Sequence, residues 1–311
     1  MWATTTCFSI TSATTSPRSD VSSQRRFLPR PCAAAARSSP LRSTDNSYLS
    51  YGKRSLVLST VLSLVLAHVP IANASEPNEL LVIQNGVKSV LSKAKAAGIL
   101  RLVFHDAGTF DLDSKSGGMN GSIIYELDRP ENAGLSKSVK VLEKAKREIE
   151  NIQKVSWADL IAVAGAEAVS LCGGPTIPIR IGRVDSSIPD APGKLPEETL
   201  DASALKRCFQ NKGFSTQELV VLSGAHTIGN KGFKDPFVFD NSYFKMLLEK
   251  PWTSASGMSN MIGLPSDRAL VEDDECLRWI NTYAGDQLKF FDDFKDAYIK
   301  LVNTGASWQS S

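Results

Sequence analysis

The order of apolar and polar residues predicts helices along most of the chain after residue 75. Apolar residues recur every three or four positions from Leu135 to Ile152, with charged residues between them, as on an amphipathic helix. The tetrapeptide SWAD, from Ser156 to Asp159, then opens a second apolar run in the way a capped helix begins. Strand-like alternation is nearly absent, so the pattern predicts an all-α, mainly helical fold. Further helical patterns cover residues 79–97, 216–226, 242–248 and 290–302.

Three long segments are punctuated by Gly, Pro and Ser and predict ordered loops instead of helices. They run from Gly173 to Pro196, from Thr227 to Phe237 and from Trp252 to Pro265. The sequence shows no internal repeat and no low-complexity tail, so we expect one helical domain after residue 75.

The first 74 residues predict two targeting signals in series. Residues 1 to about 50 are rich in Ser, Thr, Ala and Arg and poor in acidic residues, as chloroplast transit peptides are. An apolar run from Leu56 to Val69 follows Lys53 and Arg54, and the small residues at 72–74 suit a signal peptidase. This run is shorter than the roughly 20 residues that span a bilayer as a helix, which disfavours the alternative of a permanent anchor. We therefore expect removal of residues 1–74, location in the thylakoid lumen, and a domain at 75–311 without a transmembrane segment.

The charge balance argues against a nucleic-acid partner, and the cysteines argue against a zinc site. The chain has 35 Lys and Arg against 33 Asp and Glu, a formal net charge of +2. Residues 1–74 contribute +6 of this charge, so residues 75–311 carry −4, which argues against a nucleic-acid partner. Cys172, Cys208 and Cys276 remain in that domain, and their odd number without metal-ligand spacing argues against zinc and permits at most one disulfide.

The segment RLVFHD contains the first candidate catalytic residues. On a helix, Arg101 and His105 project from one face, where both can address the same small ligand. Peroxide cleavage needs such a pair, because a neutral imidazole moves the proton while a guanidinium stabilises the developing charge. The imidazole also needs a hydrogen-bond acceptor on its other nitrogen, for which Asn132, with Glu126 behind it, is the candidate. On these six residues alone, an ordinary partly buried helix remains the alternative.

The segment LSGAHTIG contains the second candidate histidine. An iron-bound imidazole usually donates its free N–H to a carboxylate, which raises the basicity of the ligand. Asp267, in LPSDRAL, is the candidate partner of His226. The spacing alone leaves a hydrogen-bonded core histidine as the alternative reading of His226.

Several longer segments, taken together and in order, resemble the plant-type haem peroxidase superfamily, and among its members the ascorbate peroxidases. The resemblance implies two helical lobes around a haem b site, with the distal arginine at Arg101, the distal histidine at His105 and its asparagine at Asn132. It also implies the iron ligand at His226 and the carboxylate at Asp267. The segments are RLVFHDAGTFD, GGMNGSI, ENAGL, SWADLIAVAGAEAV, GGPTIPIRIGRVD, LSGAHTIG, FDNSYF and LPSDRAL.

The resemblance implies hydrogen peroxide and a small reductant such as ascorbate as substrates. When the lumenal signal is also considered, the chain most resembles lumenal members of the family that are found with photosystem II. This resemblance implies photosystem II as a partner on the lumenal membrane face. Two hypotheses therefore stand: an enzyme that reduces peroxide, and a catalytically weak or inactive peroxidase-shaped protein that binds photosystem II.

The chain also departs from the ascorbate peroxidase pattern. Phe104 stands where these enzymes have a distal tryptophan, and the segment between His226 and FDNSYF is about ten residues shorter than their pattern. The proximal tryptophan and the ascorbate-binding arginine of that segment have no counterpart, although Phe233 is expected near the lost indole. This departure favours the binding-protein hypothesis. The retained quintet of site residues, Arg101, His105, Asn132, His226 and Asp267, favours the enzyme.

Two cation sites are candidates on the same resemblance. Thr227 and Asp240 correspond to members of a proximal potassium or calcium site whose other residues lie in the shortened segment. Asp106, Asp111 and Asp113 could form a distal calcium site, with a solvated acidic loop as the alternative.

Overall fold

The computed structural model describes residues 78–249 and 262–309 and contains no strand within them. The predicted all-α fold is therefore confirmed. Short 3-10 turns at Ser122–Tyr125, Pro130–Asn132, Gly224–Thr227 and Leu270–Glu272 accompany ten α-helices in these residues. The helices are α1 (Glu79–Val90), α2 (Lys93–Ala107), α3 (Ser136–Glu150), α4 (Trp157–Leu171), α5 (Ala202–Gln210), α6 (Thr216–Ser223), α7 (Ser242–Leu248), α8 (Pro265–Ala269), α9 (Asp274–Gly285) and α10 (Gln287–Asn303).

The strongest sequence patterns match observed helices closely. The run at 135–152 forms α3, and the Ser156 side chain accepts a hydrogen bond from the Asp159 amide at the start of α4. Helix α6 begins with a capping box in which Ser215 and Glu218 each accept a hydrogen bond from the other's backbone N–H. Local capping chemistry therefore fixes where these helices begin.

The predicted single helix at 79–97 is wrong, because the chain forms two helices there. Leu91 adopts an extended conformation after α1, and α2 begins at Lys93 after the extended Ser92. The break turns α2 so that its apolar face packs against α4, and it places Arg101 and His105 in the last turns of α2. The candidate distal residues thus lie on one continuous helix, as the sequence predicted.

The helices pack as two groups, with α4 at the centre of the first. Helices α1, α2, α3 and α4 contact one another, while α6, α7, α9 and α10 form the second group. Gly165 of α4 contacts the Tyr298 hydroxyl of α10, which leaves no room for a Cβ atom. The two groups meet where α2 contacts α10 and the 3-10 turn after α6, and this junction positions the site described below.

A buried ion pair ties the long loop at 173–196 to both groups. The Arg183 guanidinium, with no solvent exposure, donates to Asp159 of α4 at 2.8 Å and to the Asn303 side chain of α10 at 2.8 Å. Its Nε donates to the Val302 carbonyl at 2.8 Å. Every polar end of this buried side chain is therefore paired, as burial of a charge requires.

Several expectations fall outside the described residues or are tested only in part. The two targeting signals lie at 1–74, and most of the expected loop at 252–265 also lies in undescribed residues. Within the described residues, no helix has the length and apolar character needed to cross a membrane, and Cys172, Cys208 and Cys276 are free thiols.

Candidate active site

A cavity of about 530 Å³ lies between the two helix groups and has both candidate histidines on its walls. Helix α2 contributes His105 from one side, and the turn after α6 contributes His226 from the other. The walls are largely apolar, as is usual for a buried cofactor site. Other lining residues include Arg101, Phe104, Leu205, Phe209, Leu222, Asp267 and Leu270.

Hydrogen bonds fix one tautomer of His105. The Asn132 side-chain amide donates to the Glu126 carbonyl at 2.9 Å, so its oxygen faces the His105 Nδ1 at 2.7 Å and accepts from it. The proton therefore lies on Nδ1, and the lone pair of Nε2 faces Arg101, whose Nε donates to it at 3.2 Å. Glu126 supports this arrangement through its backbone, because its carboxylate is bound by Ser122 and Arg129.

The electrostatic environment keeps His105 neutral. Burial is the main cause that lowers the pKa of this imidazole from 6.5 to about 4, and the nearby Arg101 charge lowers it further. The hydrogen bond to Asn132 opposes this change without reversing it. At neutral pH Nε2 is therefore unprotonated, which is the form that a general base needs.

Arg101 is anchored to the loop that also carries the histidine's partner. Its two terminal nitrogens donate to the Ala133 carbonyl at 2.8 Å and to the Glu131 carbonyl at 2.6 Å. Because Asn132 lies between these two carbonyls, one short turn orients both Arg101 and His105. The predicted association of Arg101, His105 and Asn132 is thus present in the structure.

On the opposite wall, His226 is paired with Asp267. The His226 Nδ1 lies 2.8 Å from one carboxylate oxygen of Asp267, and the Leu264 amide donates to the other oxygen at 2.8 Å. His226 lines the cavity, and its Nε2 makes no hydrogen bond with any described residue. This nitrogen is therefore available on the cavity side, unlike the Nδ1.

The charge of Asp267 controls the protonation of His226. Burial alone would lower the pKa of His226, but the adjacent Asp267 carboxylate raises it above 6.5. Burial likewise opposes ionisation of Asp267, yet the charge and hydrogen bond of His226 and the Leu264 amide hold its pKa below 3.8. The carboxylate is therefore ionised and increases the basicity of the imidazole.

Comparison with known proteins identifies the chain. It matches the family model described as Peroxidase over residues 82–286. It is 66% identical over 256 residues to "Putative L-ascorbate peroxidase 6" of Arabidopsis thaliana, covering 82% of this chain and 77% of that protein. The chain belongs to the plant haem peroxidase family. This peroxidase is also 39% identical over 229 residues to "L-ascorbate peroxidase 1, cytosolic" of Oryza sativa subsp. indica, covering 70% and 88% of the two chains.

Family membership gives this peroxidase haem b as cofactor and hydrogen peroxide as substrate. The cavity suits a planar, largely apolar macrocycle, because Phe104 and Phe209 stack at 6.0 Å along one wall. The Nε2 of His226, which makes no hydrogen bond with any described residue, is a nitrogen of the kind that could bind haem iron. Phe104, at the position where the resemblance places the distal aromatic residue, lines the cavity and contacts the His105 ring edge-on at 6.4 Å.

In the structure, several residues of the two candidate cation sites take part in hydrogen bonds and an ion pair. The Asp106 carboxylate is fully buried and accepts the Gly121 and Ile123 amides, while Asp111 pairs with Lys194 at 2.7 Å. Thr227 and Asp240 do come together at 3.1 Å, but as a hydroxyl donating to a carboxylate. Among the described residues, no group of three or more His, Cys, Asp and Glu side chains could hold a metal ion.

Tyr243 is a member of the site that the sequence pattern did not indicate. The buried Tyr243 hydroxyl donates to the Asp267 carboxylate at 2.9 Å, on the same oxygen that His226 approaches. Burial and the Asp267 charge raise the pKa of Tyr243, so the phenol remains a donor. Phe233 packs against the Tyr243 ring at 4.8 Å and also lies beside Gly263. Tyr243 was present in the recognised segment FDNSYF, but only tertiary packing shows what it contacts.

A charged pair on the cavity lining was also not indicated by the sequence pattern. Lys231 and Glu198 both line the cavity, with 3.9 Å between the ammonium nitrogen and a carboxylate oxygen. Lys93 and Lys95, at the start of α2, do not line it, and Lys95 instead donates to the Val90 carbonyl at 2.6 Å. Lys231 is therefore the lysine positioned to meet a charged molecule in the cavity.

Proposed function

We propose that this peroxidase reduces hydrogen peroxide with Arg101, His105 and Asn132 on one wall of the cavity and with His226 as the iron ligand on the other. One observation carries the proposal: the two imidazoles face the same cavity, and the Nδ1 of one is bound by a neutral amide while the Nδ1 of the other is bound by a carboxylate. His105 has its Nδ1 held by an amide oxygen and a low pKa, whereas His226 has its Nδ1 held by a carboxylate and a raised pKa. The first arrangement suits a base and the second a metal ligand.

Bound haem supplies the iron at which the O–O bond of peroxide is cleaved. His105 takes the proton from one peroxide oxygen through Nε2 and returns it to the departing oxygen, which leaves as water. Arg101 places positive charge beside Nε2 of His105. This charge stabilises the negative charge that develops on the departing oxygen. Asn132 keeps the Nδ1 proton in place, so that Nε2 stays the basic nitrogen throughout.

The assignment of His226 is tested by haem loading of two matched variants. His226→Ala should abolish the Soret band of the refolded domain, because the cavity then lacks its nitrogen donor. His105→Leu removes an imidazole from the opposite wall and should leave the band in place. Equal haem content in His226→Ala and the unaltered protein would refute the assignment.

We infer that ascorbate is a poor reductant for this enzyme. Among the described residues, the lysine and arginine side chains that line the cavity are Arg101 and Lys231, and Lys231 is partly neutralised by Glu198. A charge-assisted contact to an anion is worth about 1.5 to 3 kcal/mol, so loss of the family's arginine weakens ascorbate use by about one to two orders of magnitude.

Steady-state assays with ascorbate and with guaiacol test this inference about the reductant. We expect a specificity constant for ascorbate well below that of a cytosolic ascorbate peroxidase, and a smaller difference for the neutral phenol. Lys231→Ala should lower the ascorbate value further without changing the guaiacol value. An ascorbate constant equal to that of the cytosolic enzyme would contradict the inference.

We further propose that the protein works in the thylakoid lumen, on the basis of the two signals at residues 1–74. Import of the full chain into isolated chloroplasts tests this location. A protease-protected product of residues 75–311 inside washed thylakoids is expected, and a product in the stroma would contradict it.

A second candidate function rests on the short segment between His226 and FDNSYF, which lacks the family's reductant-binding residues. In this alternative the domain binds the lumenal face of photosystem II and has weak catalysis. Cosedimentation with inside-out photosystem II membranes tests it. Binding by the haem-free His226→Ala variant, together with low activity toward both reductants, would favour this candidate.

A further inference from the structure

An unbroken series of aromatic rings leads from His226 to a partly exposed tryptophan. The His226 ring meets Tyr243 edge-on at 6.0 Å, and Tyr243 meets Phe244 at 5.0 Å. Phe244 then meets Tyr283 at 5.2 Å, and Tyr283 stacks on Trp279 at 6.0 Å with an angle of 23° between the rings. Except for Trp279, which is partly exposed, the rings beyond His226 are fully buried. The series therefore connects the cavity with the surface of α9.

Both tyrosines of this series have a carboxylate in position to take the phenol proton. Tyr243 donates to Asp267 at 2.9 Å, and Tyr283 donates to Asp293 at 2.8 Å. The Gln217 side-chain amide lies 3.3 Å from the Tyr283 oxygen and 2.9 Å from the same Asp293 oxygen. It therefore helps to hold the phenol and the carboxylate in position. A phenol that loses an electron becomes strongly acidic, so each tyrosine can be oxidised without leaving a charged ring in the core.

We infer that this peroxidase has a second oxidation site at Trp279, which takes single electrons from phenolic donors too large to enter the cavity. The inference rests on the proposed function, because hydrogen peroxide supplies the oxidising equivalents. Phe244 lies between the two phenols as a bridge and is not itself oxidised.

The electrons and protons of this route balance. Each donor gives one electron to Trp279, which passes by way of Tyr283 and Tyr243 to the peroxide-oxidised site. The phenol protons move to Asp293 and Asp267 when the tyrosines are oxidised and return when they are reduced. Two donor electrons, two protons and one hydrogen peroxide therefore yield two waters and two phenoxyl products.

The site can be tested with two phenolic donors that have the same reactive group but differ in size. Free tyramine can enter the cavity, whereas tyramine coupled to dextran cannot. In the haem-loaded enzyme, Trp279→Phe and Tyr283→Phe should slow oxidation of the dextran conjugate about tenfold or more and leave free tyramine within about twofold. Trp157→Phe is the matched control, because this partly exposed tryptophan makes no ring contact with the series among the described residues. It should change neither rate.

Electron paramagnetic resonance gives a readout that does not depend on turnover. Freezing the enzyme after one equivalent of peroxide, without a donor, should trap a protein radical whose signal narrows when tyrosine or tryptophan is deuterated. Tyr283→Phe and Trp279→Phe should alter this signal, and Trp157→Phe should not.

The outcomes separate this inference from the proposed function. If peroxide reacts and free tyramine is oxidised, but both route variants behave as the unaltered enzyme does, the second site is refuted and the proposed function stands. If peroxide produces no spectral change in the haem-loaded protein, the proposed function fails and the second site fails with it.

Discussion

Replacing Asp267 with asparagine isolates the charge of the group that orients His226. The carboxylate accepts three hydrogen bonds, from His226, Tyr243 and the Leu264 amide, and is 2% exposed. Asparagine has the same shape but only one accepting oxygen. If that oxygen faces His226 and Tyr243, its NH₂ group faces the Leu264 N–H, so two donors meet in a buried site.

The magnitude follows from the lost hydrogen bond. A hydrogen bond to a charged group contributes about 1.5 to 3 kcal/mol, and a domain of this size loses about 2 to 4 °C of melting temperature per kcal/mol. We therefore expect haem-free Asp267→Asn to melt about 3 to 12 °C lower. Loss of a partner that orients a metal ligand typically weakens metal binding about 10 to 100-fold, so haem affinity should fall by that factor.

The pH dependence of the loss has a definite sign in the haem-free protein. Because Asp267 raises the folded-state pKa of His226 above 6.5, its contribution to stability is fully present below pH 6.5 and is lost as the pH rises through the raised value. The difference in melting temperature between the unaltered protein and Asp267→Asn should therefore be larger below pH 6.5 than well above it.

Haem titration followed by the Soret band, together with thermal melts at several pH values, measures both effects. Asp240→Asn is the matched control, since this carboxylate binds the Thr227 hydroxyl and the Ser242 amide instead of His226. The control should lose some stability but retain haem affinity. Equal haem affinity in Asp267→Asn and the unaltered protein would show that the carboxylate does not orient the ligand.

Three further predictions concern the opposite wall and the core. His105→Leu should slow the reaction with peroxide by about 10² to 10⁴-fold in stopped-flow mixing, and an unchanged rate would place His105 among ordinary core residues. The rate of the unaltered enzyme should fall as the pH drops through about 4, where His105 gains its proton, and a stopped-flow pH series that stays level would contradict this. In chemical denaturation, Asp159→Ala should cost about 3 to 5 kcal/mol, because Arg183 is left buried and unpaired, whereas Glu150→Ala, at an exposed pair with Lys146, should cost about 0.3 to 0.5 kcal/mol.

The sequence by itself determined the helical class, the strongest helices and the candidate quintet of the site. Periodic apolar residues and the cap at Ser156 fixed α3 and α4, because these signals act within a few residues. Arg101 and His105 lie four residues apart, so the helical repeat alone put them on one face. The quintet itself came from resemblance, since spacing could not exclude an ordinary core histidine.

The tertiary structure decided the partners that lie far apart in the sequence. The helix break before Lys93 was missed because alanine and lysine between 93 and 97 continue a helical pattern, while packing of α2 on α4 requires a new direction. Helices α5 and α9 were also missed, although their apolar faces are buried in the second group.

The role of Tyr243 shows the same physical limit. Its hydroxyl meets an oxygen of Asp267, a residue 24 positions away, and its ring begins the series that reaches Trp279. Local chemistry sets which side chains can donate, accept or stack, but a contact between helices depends on how whole apolar faces pack. The sequence therefore contains the groups of this site, and only the packed fold decides that one carboxylate serves both His226 and Tyr243.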